Sequence, residues 1–173
     1  MSALDHQPTN NNFLSPFNFK FQIKKTPNLN FFVQTVNIPG ISIPPVDQHN
    51  PLVAIPHSGD HIMYDEILMS FKVDEDLANY LEIHNWIRAL GFPERYAEYR
   101  ALSKLAQTSG LGIKSDISLL VLNSNQVPKF NVVFKDAFPI QLSSIIFDTT
   151  QEDLMYIDAS ATFRYRNYDI EIM

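Results

Sequence analysis

The residues most able to do chemistry are two histidines, His57 and His61, which lie four apart with Asp60 between them. On a helix, this spacing would place both imidazoles on one face and predict a metal-binding pair. Pro56 and Gly59 interrupt the same run and exclude a helix. No third or fourth ligand is evident in the sequence. We therefore expect both histidines to form ordinary hydrogen bonds in a loop, and we predict no metal site.

The other patterns that could support catalysis are incomplete. Residues 109–112 hold a lone Gly-x-Gly, without the third glycine or the Gly-Lys-Ser/Thr pair of a phosphate-binding loop, and so predict a helix end. His84 lies beside an apolar helical stripe, which favours a packed or boundary histidine. We expect no enzyme and no cofactor, with a paired-carboxylate enzyme as the least favoured alternative. The adjacent acids, placed at a helix start and in a bend, are Glu75-Asp76 and Glu152-Asp153.

Composition narrows the functional classes further. The chain has 173 residues, no cysteine and a formal net charge of −6. This length predicts one domain, and the absence of cysteine excludes disulfides and thiolate zinc sites. An acidic chain lacks the basic footprint of a nucleic-acid binder. Residues 1–12 lack a secretory signal pattern and no run of about 18 apolar residues occurs, so we expect cytoplasmic synthesis and no membrane partner.

The first predicted elements follow a polar N-terminal arm, residues 1–16. Residues 17–24 alternate apolar with polar side chains, a period of two that predicts a strand with one apolar face. Turn-forming residues around Pro27 lead into a second apolar run at 31–38. We therefore predict that the two runs pair as a hairpin.

A proline-rich segment, residues 40–61, comes next. Five prolines between positions 39 and 56 exclude a central strand or a helix there, because proline lacks the backbone N–H donor. The segment is too apolar for a solvated linker, and a long irregular segment in a compact domain is usually functional. Two interpretations stay open: a loop packed on its own domain, or an extended arm that docks on a neighbouring subunit. The candidate docking residues of that arm are Ile41, Ile43, Leu52, Val53 and Ile55.

Residues 74–91 carry the clearest helical pattern of the chain. Asp74 is placed to cap the first amides, and Gly91 and Pro93 predict the end of the helix. Apolar residues recur at three- and four-residue spacing and predict one broad buried face. A second, shorter helix is predicted at 94–107. The residues expected to hold the first helix in the core are Leu77, Leu81, Trp86, Ile87 and Leu90.

The rest of the sequence predicts strands without any strand–helix–strand alternation. Residues 117–122 are nearly all apolar and predict a strand buried on both faces. The last strand begins at residue 157, and its apolar phase flips at Asn167, which indicates a bulge or a strand end. We predict a mainly β fold, an antiparallel β-sandwich or barrel with one strong flanking α-helix and a second short helix, in a single domain of residues 17–173. The other predicted strands are 64–73, 130–134 and 142–147, with a turn at 136–140.

The order of these motifs resembles that of the tail tube proteins of contractile-tailed bacteriophages, over about residues 17–168. The individual motifs are short, and their order over the chain carries the resemblance. The matching pieces are Phe-Asn-Phe-Lys-Phe-Gln-Ile at 17–23, the Val-Asn-Ile-Pro-Gly exit into the arm at 36–40, the strand into Val-Asp-Glu-Asp at 73–76, the Leu-Glu-Ile-His-Asn-Trp-Ile helix at 81–87, the Phe-Pro turn at 138–139 and the terminal strand.

The resemblance implies a structural subunit of a phage tail tube. Such subunits form hexameric rings that stack into a channel for genome delivery, in a fold similar to that of the type VI secretion tube protein. The implied location is the virion tail, assembled in the host cytoplasm. The implied partners are further copies of the chain, the tail sheath and the baseplate, with DNA passing without specific binding. The arm would connect stacked rings, and the lumen-lining candidates are Asn18, Lys20, Gln22, Lys24 and Gln34.

Two departures from the family pattern leave the position along the tail open. The 94–107 segment is extended and the N-terminal arm is polar, so a baseplate-proximal initiator or terminator ring of the same fold is an alternative. A second alternative, from another class, is a monomeric β-sandwich that binds a ligand through the proline-rich segment. The basic residues expected to pair with acids on adjacent subunits are Lys24, Lys25, Arg164 and Arg166.

Overall fold

A computed structural model describes residues 12–91, 96–109, 112–150 and 156–173. Its helices are α1 (Pro27–Phe32), α2 (Ala78–Gly91) and α3 (Tyr96–Ser109). Its strands are β1 (Phe19–Ile23), β2 (Val33–Val36), β3 (Ile41–Ser42), β4 (Val46–Gln48), β5 (Ile55–His57), β6 (Met63–Tyr64), β7 (Ile67–Lys72), β8 (Ser115–Leu122), β9 (Pro128–Leu142), β10 (Asp158–Arg164) and β11 (Asn167–Ile172).

Seven of the described strands form two antiparallel sheets that share the long strand β9. Sheet A has the order β1-β8-β9-β11, and sheet B has the order β9-β10-β7-β2. Residues 130–135 of β9 pair with β11, and residues 138–142 pair with β10. Asp136 lies at this change of partner with a φ of 58°. Its backbone N–H donates to the Asp116 carboxylate at 3.1 Å, which holds the junction between the sheets.

The core lies between the two sheets. Ile23 and Phe134 of sheet A and Phe71 and Phe163 of sheet B are fully buried in one apolar cluster. Helix α2 covers part of this cluster, since Trp86 is 2 % exposed and its ring lies 6.1 Å from that of Phe163. Burying an apolar side chain of this size contributes about 1.5–3 kcal/mol. The mainly β, antiparallel fold with flanking helices is therefore confirmed.

The predicted hairpin over residues 17–38 is wrong. β1 pairs with β8 in sheet A, whereas β2 pairs with β7 in sheet B. Between them, Pro27 begins α1, which buries Leu29 completely. The Asn30 side chain fixes this crossing, because its oxygen accepts from the Ile23 N–H at 2.8 Å and its nitrogen donates to the Ile23 carbonyl at 3.0 Å.

Helix α2 begins at Ala78, four residues after the predicted start at 74. Leu77 has a φ of 57°, so the chain turns there before the helix begins. Asp74 nevertheless caps the helix as expected, because its carboxylate accepts from the Asn79 N–H at 3.3 Å. Asn79 is buried, and its side-chain amide donates to the Lys72 carbonyl at 2.7 Å.

The buried face of α2 differs from the predicted stripe. Trp86 is buried as expected, but Leu81 is 45 % exposed, which contradicts its assignment to the core. Positions 79, 83 and 86 follow helical i, i+4, i+7 spacing, and position 81 lies on the opposite side of the helix from 83. The remaining predicted core residues of this helix are half-buried: Leu77, Ile87 and Leu90.

Two expectations about the second half of the chain are also wrong. β9 runs straight through the predicted turn at 136–140, with Pro139 opposite Phe163 of β10. The predicted strand at 142–147 is absent, because residues 143–147 form no strand and Phe147 is 77 % exposed. The Phe-Pro pair at 138–139 does not end the strand, and the left-handed Asp136 lies inside the continuous strand β9.

The strands β8, β10 and β11 agree more closely with the sequence predictions. β8 buries alternate residues rather than both faces, since Leu120 is only half-buried. The predicted interruption near Asn167 is confirmed, because β10 ends at Arg164 and β11 begins at Asn167. Helix α3 covers most of the predicted second helix, but at 14 residues it is as long as α2 rather than shorter, and its Tyr96 is exposed. Residues 1–11 and 94–95, included in the predicted N-terminal arm and second helix, lie outside the described residues.

Candidate assembly surfaces

The proline-rich segment forms a projecting arm. β4 pairs only with β5, and β3 pairs only with β6, so its described strands join neither sheet A nor sheet B. Its apolar side chains do not pack on the subunit. The five candidate docking residues have exposed fractions from 39 % to 94 %: Ile41, Ile43, Leu52, Val53 and Ile55.

The base of the arm is held by an aromatic cluster. The Tyr64 ring centroid lies 5.7 Å from that of Tyr165 and 5.8 Å from that of Tyr168. The Tyr168 hydroxyl donates to the Pro39 carbonyl at 3.2 Å, and the Asp65 N–H donates to the Gly40 carbonyl at 3.1 Å. Burial and the neighbouring tyrosines raise the pKa of Tyr165 well above its usual value. The arm therefore leaves the sandwich at a fixed place.

Glycine is required within the arm itself. A Cβ atom on Gly59 would lie 2.2 Å from the Pro44 carbonyl oxygen, a distance that no side chain tolerates. The two limbs of the arm therefore approach through backbone atoms at this point, and the hairpin shape is specified by the sequence.

The free edges of the sandwich lie beside one another. Within the described residues, β1 and β2 each pair on one side only, at the two ends of the strand path. An open cleft of about 580 Å³ separates them, with Lys20 on one side and Gln34 on the other. Phe17 and Phe31 also line this cleft, and both side chains are largely exposed. Unpaired strand edges of this kind can bind another chain.

The polar face predicted for β1 continues across the whole of sheet A. Acids on β11 lie on the same face as Lys20 of β1, and Lys135 pairs with Asp169 at 2.5 Å. This side of sheet A is therefore a mixed polar surface. Two successive cross-strand rows form it, namely Lys20, Leu120, Asn131 and Glu171, then Gln22, Ser118, Val133 and Asp169.

The structure places the other lumen-lining candidates differently. Lys24 is exposed beyond the end of β1, and the Asn18 side-chain amide donates to the Asn123 carbonyl at 3.2 Å. Gln34 lies on β2, which does not pair with β1, so it faces Lys20 across the cleft rather than along a hairpin. Gln22 and Lys20 are the candidates that lie on the open face of sheet A.

Most of the basic residues expected to pair between subunits have partners in their own chain. Arg164 donates to Glu66 at 3.0 Å, and Arg166 lies 3.0 Å from an oxygen of Asp136. Both pairs are substantially exposed, and such pairs contribute little to stability. In the subunit, both arginines therefore have acidic partners in their own chain, and pairing with an adjacent subunit stays a prediction.

Lys25 has an internal environment. Its ammonium donates to the Gly112 carbonyl at 2.6 Å and lies 4.6 Å from the centre of the Trp86 ring. The Trp86 indole N–H in turn donates to the Ile113 carbonyl at 2.9 Å. Partial burial lowers the pKa of Lys25 to about 8, although the carbonyl and the indole both favour the charged form. Lys25 and Trp86 thus hold the chain before β8 against α2.

The candidate catalytic residues do not come together. His57 hydrogen-bonds Gln48 at 2.9 Å and His61 hydrogen-bonds Asp60 at 2.7 Å. No group of three or more metal-ligating side chains occurs among the described residues. His84 is exposed rather than packed. Gly110 and the pair Glu152-Asp153 lie outside the described residues.

None of the helices in the described part of the chain is long and apolar enough to cross a membrane.

A family model described as phage tail tube protein matches residues 6–171 of the chain. No curated protein matches it. Among solved structures, it resembles the tube-terminating cap of the anti-feeding prophage at 13 % identity and a TM-score of 0.60, covering 100 % of both chains. Two structures of the PVC contractile injection system also contain chains similar to this one. A chain of its sheath/tube terminator aligns at 16 % identity and a TM-score of 0.58, covering 94 % of this chain and 99 % of that one. A chain of its sheath–tube complex aligns at 14 % identity and a TM-score of 0.56, covering 100 % of this chain and 99 % of that one.

Proposed function

Because the chain belongs to the phage tail tube protein family, we propose that it is a structural subunit of a tail tube, in which hexameric rings stack into a channel for genome delivery. The observation that carries the proposal is the family match over residues 6–171, nearly the whole chain. This family is a structural one and not an enzyme class.

Ring closure would use the free sheet edges. β1 and β2 each have an unpaired side and lie on opposite sides of one cleft. Pairing these edges with neighbouring subunits would satisfy their backbone groups, as closed barrels do. Phe17 and Phe31 would then become buried at the same contact, which supports a ring rather than a monomer.

The lumen would be lined by the polar face of sheet A. Lys20 and Gln22 lie there with Asp169 and Glu171, a mixed surface without an apolar patch. A ring of six subunits would carry a formal charge of −36 (6 × −6). The ring as a whole would therefore repel a DNA backbone, while the wall balances Lys20 and Lys135 against Asp169 and Glu171, which suits passage without specific binding.

The lumen assignment can be tested with single cysteines, because the chain has none of its own. Gln22→Cys reports on sheet A, and Leu68→Cys, which is exposed on sheet B, is the matched control. In assembled tubes we expect a small maleimide to label both variants and a bulky maleimide to label only Leu68→Cys. The reverse pattern would place sheet B inside.

Contact between stacked rings would come from the arm. Its apolar side chains are exposed in the subunit although its shape is fixed, which is expected of a surface that a partner covers. Tail sheath and baseplate proteins are the further proposed partners, in a virion tail assembled in the host cytoplasm.

A ring that ends the tube is a second candidate for the same fold. The cap of the anti-feeding prophage and the PVC sheath/tube terminator have TM-scores of 0.60 and 0.58 with this chain, beside 0.56 for the PVC sheath–tube complex. These similarities do not separate a repeating subunit from a terminal one. A repeating subunit should form long filaments as concentration rises, whereas a terminal ring should stop at one or two rings.

Electron microscopy of the purified full-length chain tests the proposal. We expect six-fold rings with a solvent-filled centre, stacked into tubes. Rings of another order would contradict the hexamer. A monomer that persists at high concentration and in virions would favour a ligand-binding β-sandwich instead.

A further inference from the structure

Sheet A exposes a second apolar surface at the end where β1 begins and β11 ends. We call this surface the terminal patch. Phe13 is 95 % exposed there and Leu14 is 64 % exposed. The terminal patch consists of Phe13 and Leu14 together with Leu122 and Phe130 of sheet A, which line the same cleft.

Backbone hydrogen bonds hold the patch together. The Leu122 N–H donates to the Asn18 carbonyl at 2.9 Å, which places the N-terminal segment beside the end of β8. The Met173 N–H donates to the Lys129 carbonyl at 3.0 Å, which places the C-terminal residue beside the start of β9. The patch is therefore a built feature of this end of the sheet.

An open cleft of about 330 Å³ lies within this end of the sheet. Phe13, Leu14, Leu122 and Phe130 give it apolar walls. Lys129 is the charged residue among those that line it, beside a polar rim of asparagine and serine. The cleft thus combines an apolar floor with one positive charge.

The terminal patch and the base of the arm lie at opposite ends of sheet A. Tyr168, which contacts the arm base, pairs with Phe134, whereas Ile172 pairs with Phe130. Four residues of strand separate these pairs, roughly 13 Å at about 3.3 Å per residue. The arm and the terminal patch are therefore distinct exposed apolar surfaces of one subunit.

We propose that the terminal patch receives the arm of a second copy of this chain. The proposal rests on the proposed function, because it names the surface that the stacking arm contacts. The two surfaces are chemically complementary. The arm carries two aspartates and no lysine or arginine, and its tip exposes Leu52 and Val53. The patch offers aromatic and aliphatic side chains with Lys129 beside them.

This contact is heterologous, since the arm of one copy meets a different surface of the next. When subunits bind in this way, the subunit at one end of the stack keeps a free arm, and the subunit at the other end keeps a free patch. Because the contact joins one ring to the next along the axis of the stack, it can repeat from ring to ring and extend the stack as an open filament. A contact between two arms would be symmetric and would stop after one pair.

Cross-linking between two single-cysteine variants tests the proposal. Leu52→Cys is mixed with Phe13→Cys, assembled and treated with a short bis-maleimide. Leu52→Cys mixed with Ile146→Cys is the matched control, because Ile146 is an exposed apolar residue outside the patch. All three positions are exposed, so the substitutions should leave the fold intact, and thermal unfolding of each variant checks this.

We expect covalent dimers from the first mixture at least tenfold above the control mixture. Dimers that form mainly between two Leu52→Cys chains would overturn the proposal in favour of contact between arms. Equal cross-linking in both mixtures would overturn it as well. Tubes that assemble without cross-links would refute the docking surface and leave the tube function standing, whereas a chain that forms no rings would refute the tube function itself.

Lys129→Glu gives an independent readout. We expect a critical assembly concentration at least severalfold higher than that of the unsubstituted chain, with unchanged thermal unfolding of the subunit. Lys114→Glu, which makes the same charge change at an exposed lysine outside the cleft, is the control. A variant Lys129→Glu that assembles at the original concentration would contradict the charge complementarity on which the docking surface depends.

Discussion

The arm and strand β8 contain similar apolar residues and lie in opposite surroundings. In β8, Ile117 and Leu119 are almost fully buried because β1 and β9 pair with both of its edges. In the arm, Leu52 and Val53 are exposed because the prolines restrict pairing to short strands within the arm. Apolar sequence alone therefore does not identify the core. Strand pairing decides whether such residues stabilise the subunit or remain available to a partner.

Removing the arm tests this difference most strongly. Deleting residues 43–55 should abolish polymerisation and leave a folded subunit, because the deleted side chains contribute almost nothing to the core. Sedimentation and thermal unfolding measure the two effects. The double substitution Ile146→Ser and Phe147→Ser, which removes exposed apolar surface elsewhere, should leave polymerisation intact. Unfolding of the deletion variant would mean that the arm supports its own subunit.

The opposite behaviour is expected of Trp86 in the core. Trp86→Ala should lower the free energy of unfolding by about 3–5 kcal/mol, because it opens a cavity beside Phe163 and removes the partner of Lys25. Leu81→Ala on the exposed side of the same helix should cost about 1 kcal/mol or less. Denaturant titration of both variants measures the difference. Equal losses of unfolding free energy in the two variants would show that Leu81 is buried as well as Trp86, as the sequence pattern predicts.

The sequence predicted the elements better than their connections. Alternation in residues 19–23 and 158–164 identified strands correctly, because the period of two reports local burial. The hairpin failed because α1 depends on a side chain, Asn30, that bonds the backbone of Ile23. The turn at 136–140 failed because one left-handed aspartate can sit inside a strand when another element, here Asp116, holds its amide.

The assembly surfaces were only partly accessible to sequence reasoning. Prolines beside apolar residues did indicate the arm. The terminal patch could not be inferred, because Phe13, Leu122 and Phe130 are apart in the chain and line one cleft only once β1, β8 and β9 have paired.

Lys25 gives a pH-dependent test of the contact between α2 and the chain before β8. Its pKa is about 8 in the folded chain and near the usual 10.5 when unfolded, so the unfolded chain binds more protons between these values. The melting temperature should therefore rise between pH 8 and 9.5. Above pH 10, the raised pKa of Tyr165 works in the opposite direction, since unfolding then releases a proton that the fold retains. Lys25→Met should flatten the rise, and an unchanged slope would show that Lys25 is solvated.

The smallest changes in stability are expected from removing the surface ion pairs. These substitutions test whether the basic residues pair within their own subunit or with a neighbouring one. Arg164–Glu66 lies beside the arm base, and Lys72–Asp158 lies at the other end of the same strand pair, β7 and β10. Arg164→Ala and Lys72→Ala should each cost about 0.2–1 kcal/mol at low salt and less at high salt. Neither substitution should change assembly, because each side chain is occupied within its own chain. If Arg164→Ala impaired tube formation while Lys72→Ala did not, Arg164 would exchange Glu66 for an acid on the next subunit, and the region around the arm base would belong to the contact between rings.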